Sequence, residues 1–161
     1  MEPDKTRARA LNNAYALLRQ RPRSDAEIRD RLKLKGYDAA VIDNIVGLLT
    51  KAGHINDAKF ARMWVESRMR SNPMGDIVLR RELKDKGVSE SIVEAALAHK
   101  KSEYDEHSIA LEMAKERFAR LKKIDRRKAI KRVYDFLLRR GFRFDLVRDI
   151  IEELGRGCDD R

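Results

Sequence analysis

Thirteen Lys or Arg fall between Lys115 and Arg143, against only Glu116, Asp125 and Asp135, so this stretch alone carries a charge of +10. The whole chain of 161 residues has 37 Lys or Arg and 27 Asp or Glu, which leaves 24 charges of each sign elsewhere and no net charge outside the stretch. A cationic surface concentrated in this way attracts a polyanion: nucleic acid, an acidic protein or an anionic membrane. Its densest part is Arg126, Arg127, Lys128, Lys131 and Arg132, on a helix whose apolar seam is Ile130, Val133 and Leu137. They cannot all point inward. With Lys115, Arg139 and Arg140 of the same stretch, and Arg68, Arg80, Arg81 and Lys84 from the middle of the chain, they form the candidate set for binding a partner or nucleic acid.

Other chemistries find little support. His54, His99 and His107 share no close ligand spacing such as H-E-x-x-H, so no metal site is expected. The serines lack a nucleophile motif, and no Gly-rich loop could cradle a phosphate. The reading is therefore a non-enzyme without cofactor or ATPase activity of its own. Cys158 is the one cysteine, which excludes an internal disulfide and fits a reducing, cytosolic setting. The start, MEPDKTRARA, has no apolar signal core, and no run approaches the roughly 18 apolar residues of a membrane span. A soluble cytoplasmic protein is expected.

The elements that must carry the basic residues are legible as a repeat. An aliphatic residue, a Leu four positions on and a Gly four further recur as Ile28-Leu32-Gly36, Leu79-Leu83-Gly87 and Val133-Leu137-Gly141. Each is followed by a second apolar run at helical spacing: Val41, Ile42, Ile45 and Val46; Ile92, Val93, Ala96 and Leu97; Leu146, Val147, Ile150 and Ile151. Gly-to-Gly steps of 51 and 54 residues mark repeated supersecondary units that bury apolar faces against neighbours. The fold expected is all-α: nine helices in a tandem array of three three-helix repeats, elongated and curved, over 1–53, 54–104 and 105–161. A monomer is expected.

Local signals set the helix ends. Residues 1–7 read as frayed, with a first helix from Ala8 to Gln20 that stops at Arg21-Pro22, because proline disfavours helix in the residue before it. Ser24 with Glu27 reads as a capping box, Asp38 as a cap, Asn56 or Asp57 as another, and Asp125 as the cap of the basic helix. Gly36, Gly87 and Gly141 read as helix stops at positive φ. Ser71–Gly75 reads as a turn. The helix opened by Ser89 is expected to run through Lys100–Tyr104 and merge with the next, Arg143 or Asp145 starts the last helix, and Gly155–Arg161 reads as a loose tail.

The middle of the chain carries particular strings: Gly53-His54-Ile55-Asn56-Asp57, then Phe60-Ala61, Trp64-Val65 and Arg68, then Pro73-Met74-Gly75, Leu79, Glu82-Leu83 and Lys86-Gly87-Val88. These resemble the RecX family of bacterial regulators of the RecA recombinase. The first unit (Glu27, Ile28, Leu32, Lys35, Gly36, Tyr37) and the last (Phe136-Leu137, Arg140-Gly141-Phe142) are similar more loosely, so the resemblance spans about residues 10–154. It implies a protein that binds along the RecA–single-stranded DNA filament and restrains its ATPase, strand exchange and coprotease activities, with no catalytic residues. The motif positions it carries over are Phe60, Trp64, Arg68, Gly75, Leu79, Leu83 and Gly87. Arg143 departs from the pattern, standing where Asp38 and Ser89 cap the equivalent helices.

Each feature also has a plainer reading. Trp64 could stack on a base, but its spacing from Phe60 favours the core. Arg68 could contact a partner or cap a helix. The rival function is a helix-turn-helix DNA-binding protein or transcription regulator. Against it, no Asn or Gln, the usual adenine readers, stands between Arg126 and Arg140. A membrane-surface helix fits less well, because the basic helix lacks a wide aromatic face.

Overall fold

The computed structural model describes residues 3–156, and among them it contains nine helices and no strand. In chain order they are α1 (Pro3–Gln20), α2 (Asp25–Leu34), α3 (Ala39–Lys51), α4 (Asp57–Ser71), α5 (Asp76–Asp85), α6 (Glu90–Glu103), α7 (Glu106–Ala119), α8 (Arg126–Arg139) and α9 (Phe144–Arg156). The all-α reading holds, in three helical triplets.

Most helix starts follow the local chemistry. Ser24 and Glu27 form the full reciprocal capping box at α2, and Asp38 and Asp125 accept the amides of Val41 and Lys128. Asn56, not Asp57, caps α4 by accepting the Lys59 amide at 2.9 Å. The Asp57 carboxylate instead accepts the Asp25 amide at 2.8 Å. Gly36, Gly87 and Gly141 take φ of +84°, +73° and +84°, the left-handed region open to glycine at little cost.

Three expectations need correction. α1 begins at Pro3, ahead of Ala8, since proline suits a first helical position and residues 5–10 are helix-compatible even without an apolar stripe. α6 and α7 do not merge: α6 ends at Glu103, and Asp105 caps α7 by accepting the amides of His107 and Ser108 at 3.1 and 3.3 Å. α9 runs through Gly155 to Arg156, so the tail is helical that far. The remainder of the expected tail, 157–161 with Cys158, lies outside the described residues.

The chain folds into two compact units, one of residues 1–64 with 83–96 and the other of 65–82 with 97–161. In the first, α1 packs on α3 and α2. Ala10 and Ala14 are fully buried there, and their small side chains let α1 approach the Ile28, Leu32, Ile45 and Leu49 core closely. In the second, α7 packs on α8 and α9 with the same device, Ala110 and Ala114, against Val133, Leu137, Phe142, Val147 and Ile150.

Each unit contains the same kind of helix-end joint. In the first, the start of α2 sits on the glycine turn that ends α5. The Ser24 hydroxyl donates to the Lys86 carbonyl, and a Cβ on Gly87 would lie 2.2 Å from the Ala26 Cβ. In the second, the start of α5 sits on the glycine turn that ends α8. The Gly75 and Ile77 amides donate to the carbonyls of Arg140 and Gly141 at 2.9 and 3.2 Å. Helix ends otherwise leave amides and carbonyls unpaired, and here one end satisfies the other with the dipoles head to tail.

Backbone touches backbone at the second joint, so a Cβ on Gly75 would fall 2.2 Å from the Gly141 carbonyl oxygen. No rotamer change relieves such a clash. Gly75→Ala should therefore destabilise the protein by about 3 kcal/mol, the upper part of the usual overpacking range, as read from its urea unfolding midpoint. A loss under about 0.5 kcal/mol, the scale of an ordinary surface substitution, would refute the joint.

Glu27 anchors the first joint electrostatically. Arg21 donates to it at 2.7 Å and Lys86 at 3.1 Å, beside the Ser24 amide. Burial by itself pushes the carboxyl up, but these donors outweigh it and hold the group at about 2, below its ordinary 4.5. A depressed carboxylate stabilises the fold above its unfolded value, and that contribution fades as pH falls from about 4.5 towards 2. Glu27→Gln should cost about 2–3 kcal/mol at pH 7. In acid unfolding series the gap to the parent should close by about pH 2, and a gap independent of pH would contradict this role.

Candidate nucleic-acid and partner interface

α8 is held by one face and charged on the other. Its Ala129, Val133 and Leu137 are buried in the second unit. At 3.6 residues per turn, Arg127, Lys128, Lys131, Arg132 and Arg139 fall within an arc of about 140° facing away from those three. All five are exposed. None of their side chains forms an ion pair among the described residues. The half-buried Asp135 is the one acid within the arc. Lys122 and Lys123, in the turn before α8, and Lys115 on α7 are exposed as well.

α8 also starts earlier than its counterparts. Counting back from the shared glycine, Ala129 corresponds to Ser24 and Gly75, which stand just before α2 and α5. Arg126, Arg127 and Lys128 thus form an added first turn, made possible by the Asp125 cap. Arg126 donates to the Gly155 carbonyl at 2.8 Å, which fixes this turn against α9. Next to it, a groove of about 280 Å³ is lined by Phe118, Leu121, Lys122, Ile124, Arg126 and Ala129. The exposed cationic arc can attract a phosphate chain, whereas this partly apolar groove, lined by Arg126 and Ala129, opens on the side of α8 away from the arc.

The other candidates divide. Arg81 is exposed, and Arg80 is half-buried. Arg68 is tied to Glu82 through a 2.9 Å Nε–Oε2 contact, and Lys84 pairs with Glu90 at 2.5 Å. Arg140 turns inward to the Asn72 side chain and lies 5.1 Å from the Phe136 ring centre. Arg68 and Arg140 thus have structural partners within the second unit.

Trp64 is half-buried, neither a core residue like Phe60 and Val65 nor fully presented. Its ring lies 5.9 Å from Phe60, with the Lys86 ammonium 5.1 Å from its centre. Its spacing from Phe60 points to a deeper position, because helical spacing locates the apolar stripe without resolving the stripe's edge. His54 packs edge-on against Tyr15, and His107 faces Glu153 at 3.4 Å. Among the described residues no group of three or more His, Cys, Asp or Glu could hold a metal ion.

The three triplets match three family models in turn: RecX first three-helix domain over residues 10–47, second over 56–97 and third over 103–151. The chain belongs to the RecX family. Curated relatives named regulatory protein RecX include those of Amycolatopsis mediterranei and Chlorobium phaeobacteroides. The first is 31% identical, over 95% of this chain and 87% of the relative. The second is 36% identical, over 92% and 95%. The crystal structure of RecX from Lactobacillus salivarius superposes with a TM-score of 0.83 at 24% identity, covering 94% of this chain and 98% of that one, which supports the fold. This RecX-family chain is thus a member of a family of regulatory proteins, built as an all-α tandem repeat. No helix among its described residues is long and apolar enough to cross a membrane.

Proposed function

We propose that this protein is a non-enzymatic regulator that binds the RecA–single-stranded DNA filament and restrains its ATPase, strand exchange and coprotease activities, so modulating DNA repair. The observation that carries this reading is the exposed cationic arc of α8, Arg127, Lys128, Lys131, Arg132 and Arg139, in a chain of the RecX family. An arc of that charge fits either filament DNA or an acidic recombinase patch. The repeats 1–53, 54–104 and 105–161 act as linked contact units of a cytoplasmic monomer. Several weak contacts on one chain gain through effective concentration, so no single repeat need bind tightly. The protein needs no cofactor.

The deciding experiment measures the DNA-dependent ATPase of the recombinase with increasing amounts of the protein. The expected result is a dose-dependent fall, with no ATP hydrolysis by the protein alone. An unchanged recombinase rate at saturating protein, or turnover by the protein itself, would overturn the proposal.

A further inference from the structure

Helices α2, α5 and α8 end on equivalent pairs of a basic residue and a glycine: Lys35-Gly36, Lys86-Gly87 and Arg140-Gly141. Two of these turns are occupied by a helix start. At Lys86-Gly87 the occupant contributes a Ser24 hydroxyl to the lysine carbonyl, the small Ala26 over the glycine, and the Glu27 carboxylate to the lysine ammonium at 3.1 Å. At Arg140-Gly141 it contributes the Gly75 amide to the arginine carbonyl and Val78 over the glycine.

The first of the three is open. Gly36 has the same left-handed φ as Gly141, +84°, yet beyond its own chain neighbours no atom lies within 4 Å of the place its Cβ would take. Lys35 and Gly36 are exposed, and Leu34 beside them is 79% exposed, the most exposed of the large apolar side chains among the described residues. An occupant of the turn would find this apolar side chain at its edge, free to be covered.

We propose that the Lys35-Gly36 turn is a vacant socket for the first turn of a helix in the recombinase protomer, a helix with a small cap residue (Ser or Gly) and a carboxylate at its third position. The proposal rests on the filament-binding reading; the small cap of the guest is copied from both occupied sockets, and its carboxylate from the Lys86-Gly87 socket, the other having Val78 at that position. The carbonyl end of α2 favours the positive end of an incoming helix, as it does at both internal joints. Lys35 then takes the carboxylate as Lys86 takes Glu27, and Leu34 is covered. A second copy of this chain is the poorer guest: its α2 and α5 starts are already engaged, and none of α3, α4, α6, α7, α8 and α9 joins a Ser or Gly cap to a carboxylate at the third position. The start of α8 would bring Arg126, Arg127 and Lys128 against Lys33 and Lys35.

Two substitutions in the full chain test this. Lys35→Glu reverses the charge that receives the carboxylate. Gly36→Asn keeps the turn, since Asn tolerates positive φ and the space is empty, but fills the socket. Both variants should keep the parent's helicity and its affinity for free single-stranded DNA, while needing about tenfold more protein to inhibit the filament ATPase, because a like charge or a clash now opposes docking. Parental inhibition by both variants would overturn the socket and leave the filament reading intact. If Lys35→Glu weakens DNA binding and Gly36→Asn does nothing, the turn is a phosphate contact and the socket is again overturned. A parent protein that does not inhibit the filament at all would overturn the filament reading and the socket with it.

Discussion

Lys100→Ala should be the most damaging substitution in the second unit, at about 3–5 kcal/mol, although Lys100 carries no part of the cationic surface. Its side chain is 1% exposed, and its ammonium meets Asp76 at 2.7 Å and Glu106 at 2.8 Å, joining the starts of α5 and α7 to the end of α6. Removing it strands two carboxylates that are 12% and 21% exposed, with only the more distant Lys101, 3.7 Å from Asp76, nearby. A carboxylate left without its counter-charge away from water costs several kcal/mol, beyond the cavity left by the missing methylenes. Urea unfolding at pH 7 should show the lower midpoint. Lys100→Met combined with Asp76→Asn and Glu106→Gln should recover most of the loss, since a matched neutral set needs no compensation. A single Lys100→Ala variant within about 1 kcal/mol of the parent would mean the cluster is solvated and structurally idle.

That cluster also shows where sequence reading stops. Helix ends are legible because their causes are local: Ser24 with Glu27 three residues on, Asp125 before a helical run, and glycine where the chain must turn left-handed. Lys100 escapes a reading that assigns charged side chains to the surface. Yet Val93, Ala96, Leu97 and Lys100 follow helical spacing, which places the lysine on the buried face, so a signal for it exists in the sequence. The helix-end joints are not legible, since Ser24 meets Lys86 and Gly75 meets Arg140 across more than sixty residues of chain. Gly87 and Gly141 read only as stops, and the space above each glycine, filled by another helix start, has no local sequence signature. Recurrence of a basic residue before each glycine is the one hint.

The joints change what the repeat motif means. Gly75 and Gly87 are required by close approach, and Arg68 by Glu82, so much of the pattern that identifies the family describes assembly of the units. A fragment beginning at residue 105 would lose the Gly75 and Ile77 amides that cap the end of α8, so the third repeat is not self-contained. Function has to be probed by surface substitutions in the full chain.

Replacing Arg127, Lys128, Lys131 and Arg132 together by Gln is the substitution that should change binding most. All four are exposed on the arc opposite Ala129, Val133 and Leu137, and none has an ion-pair partner among the described residues, so the core is untouched. Gln is nearly as good a helix former as Arg or Lys, so helicity should remain at the parent's level. Each cation withdrawn from a phosphate flattens the dependence of log affinity on log salt for single-stranded DNA by about 0.7. Withdrawing all four would lower the slope by about three, with little change in sequence preference, since pairing with phosphate carries no base information. If the arc meets an acidic recombinase surface instead, the slope for free DNA should stay put while filament inhibition weakens and becomes less sensitive to salt. Unchanged DNA affinity together with unchanged inhibition at low and moderate salt would reduce the arc to a solvated face. The cationic stretch would then contribute to solubility alone, and the filament-binding surface would have to lie elsewhere on the chain.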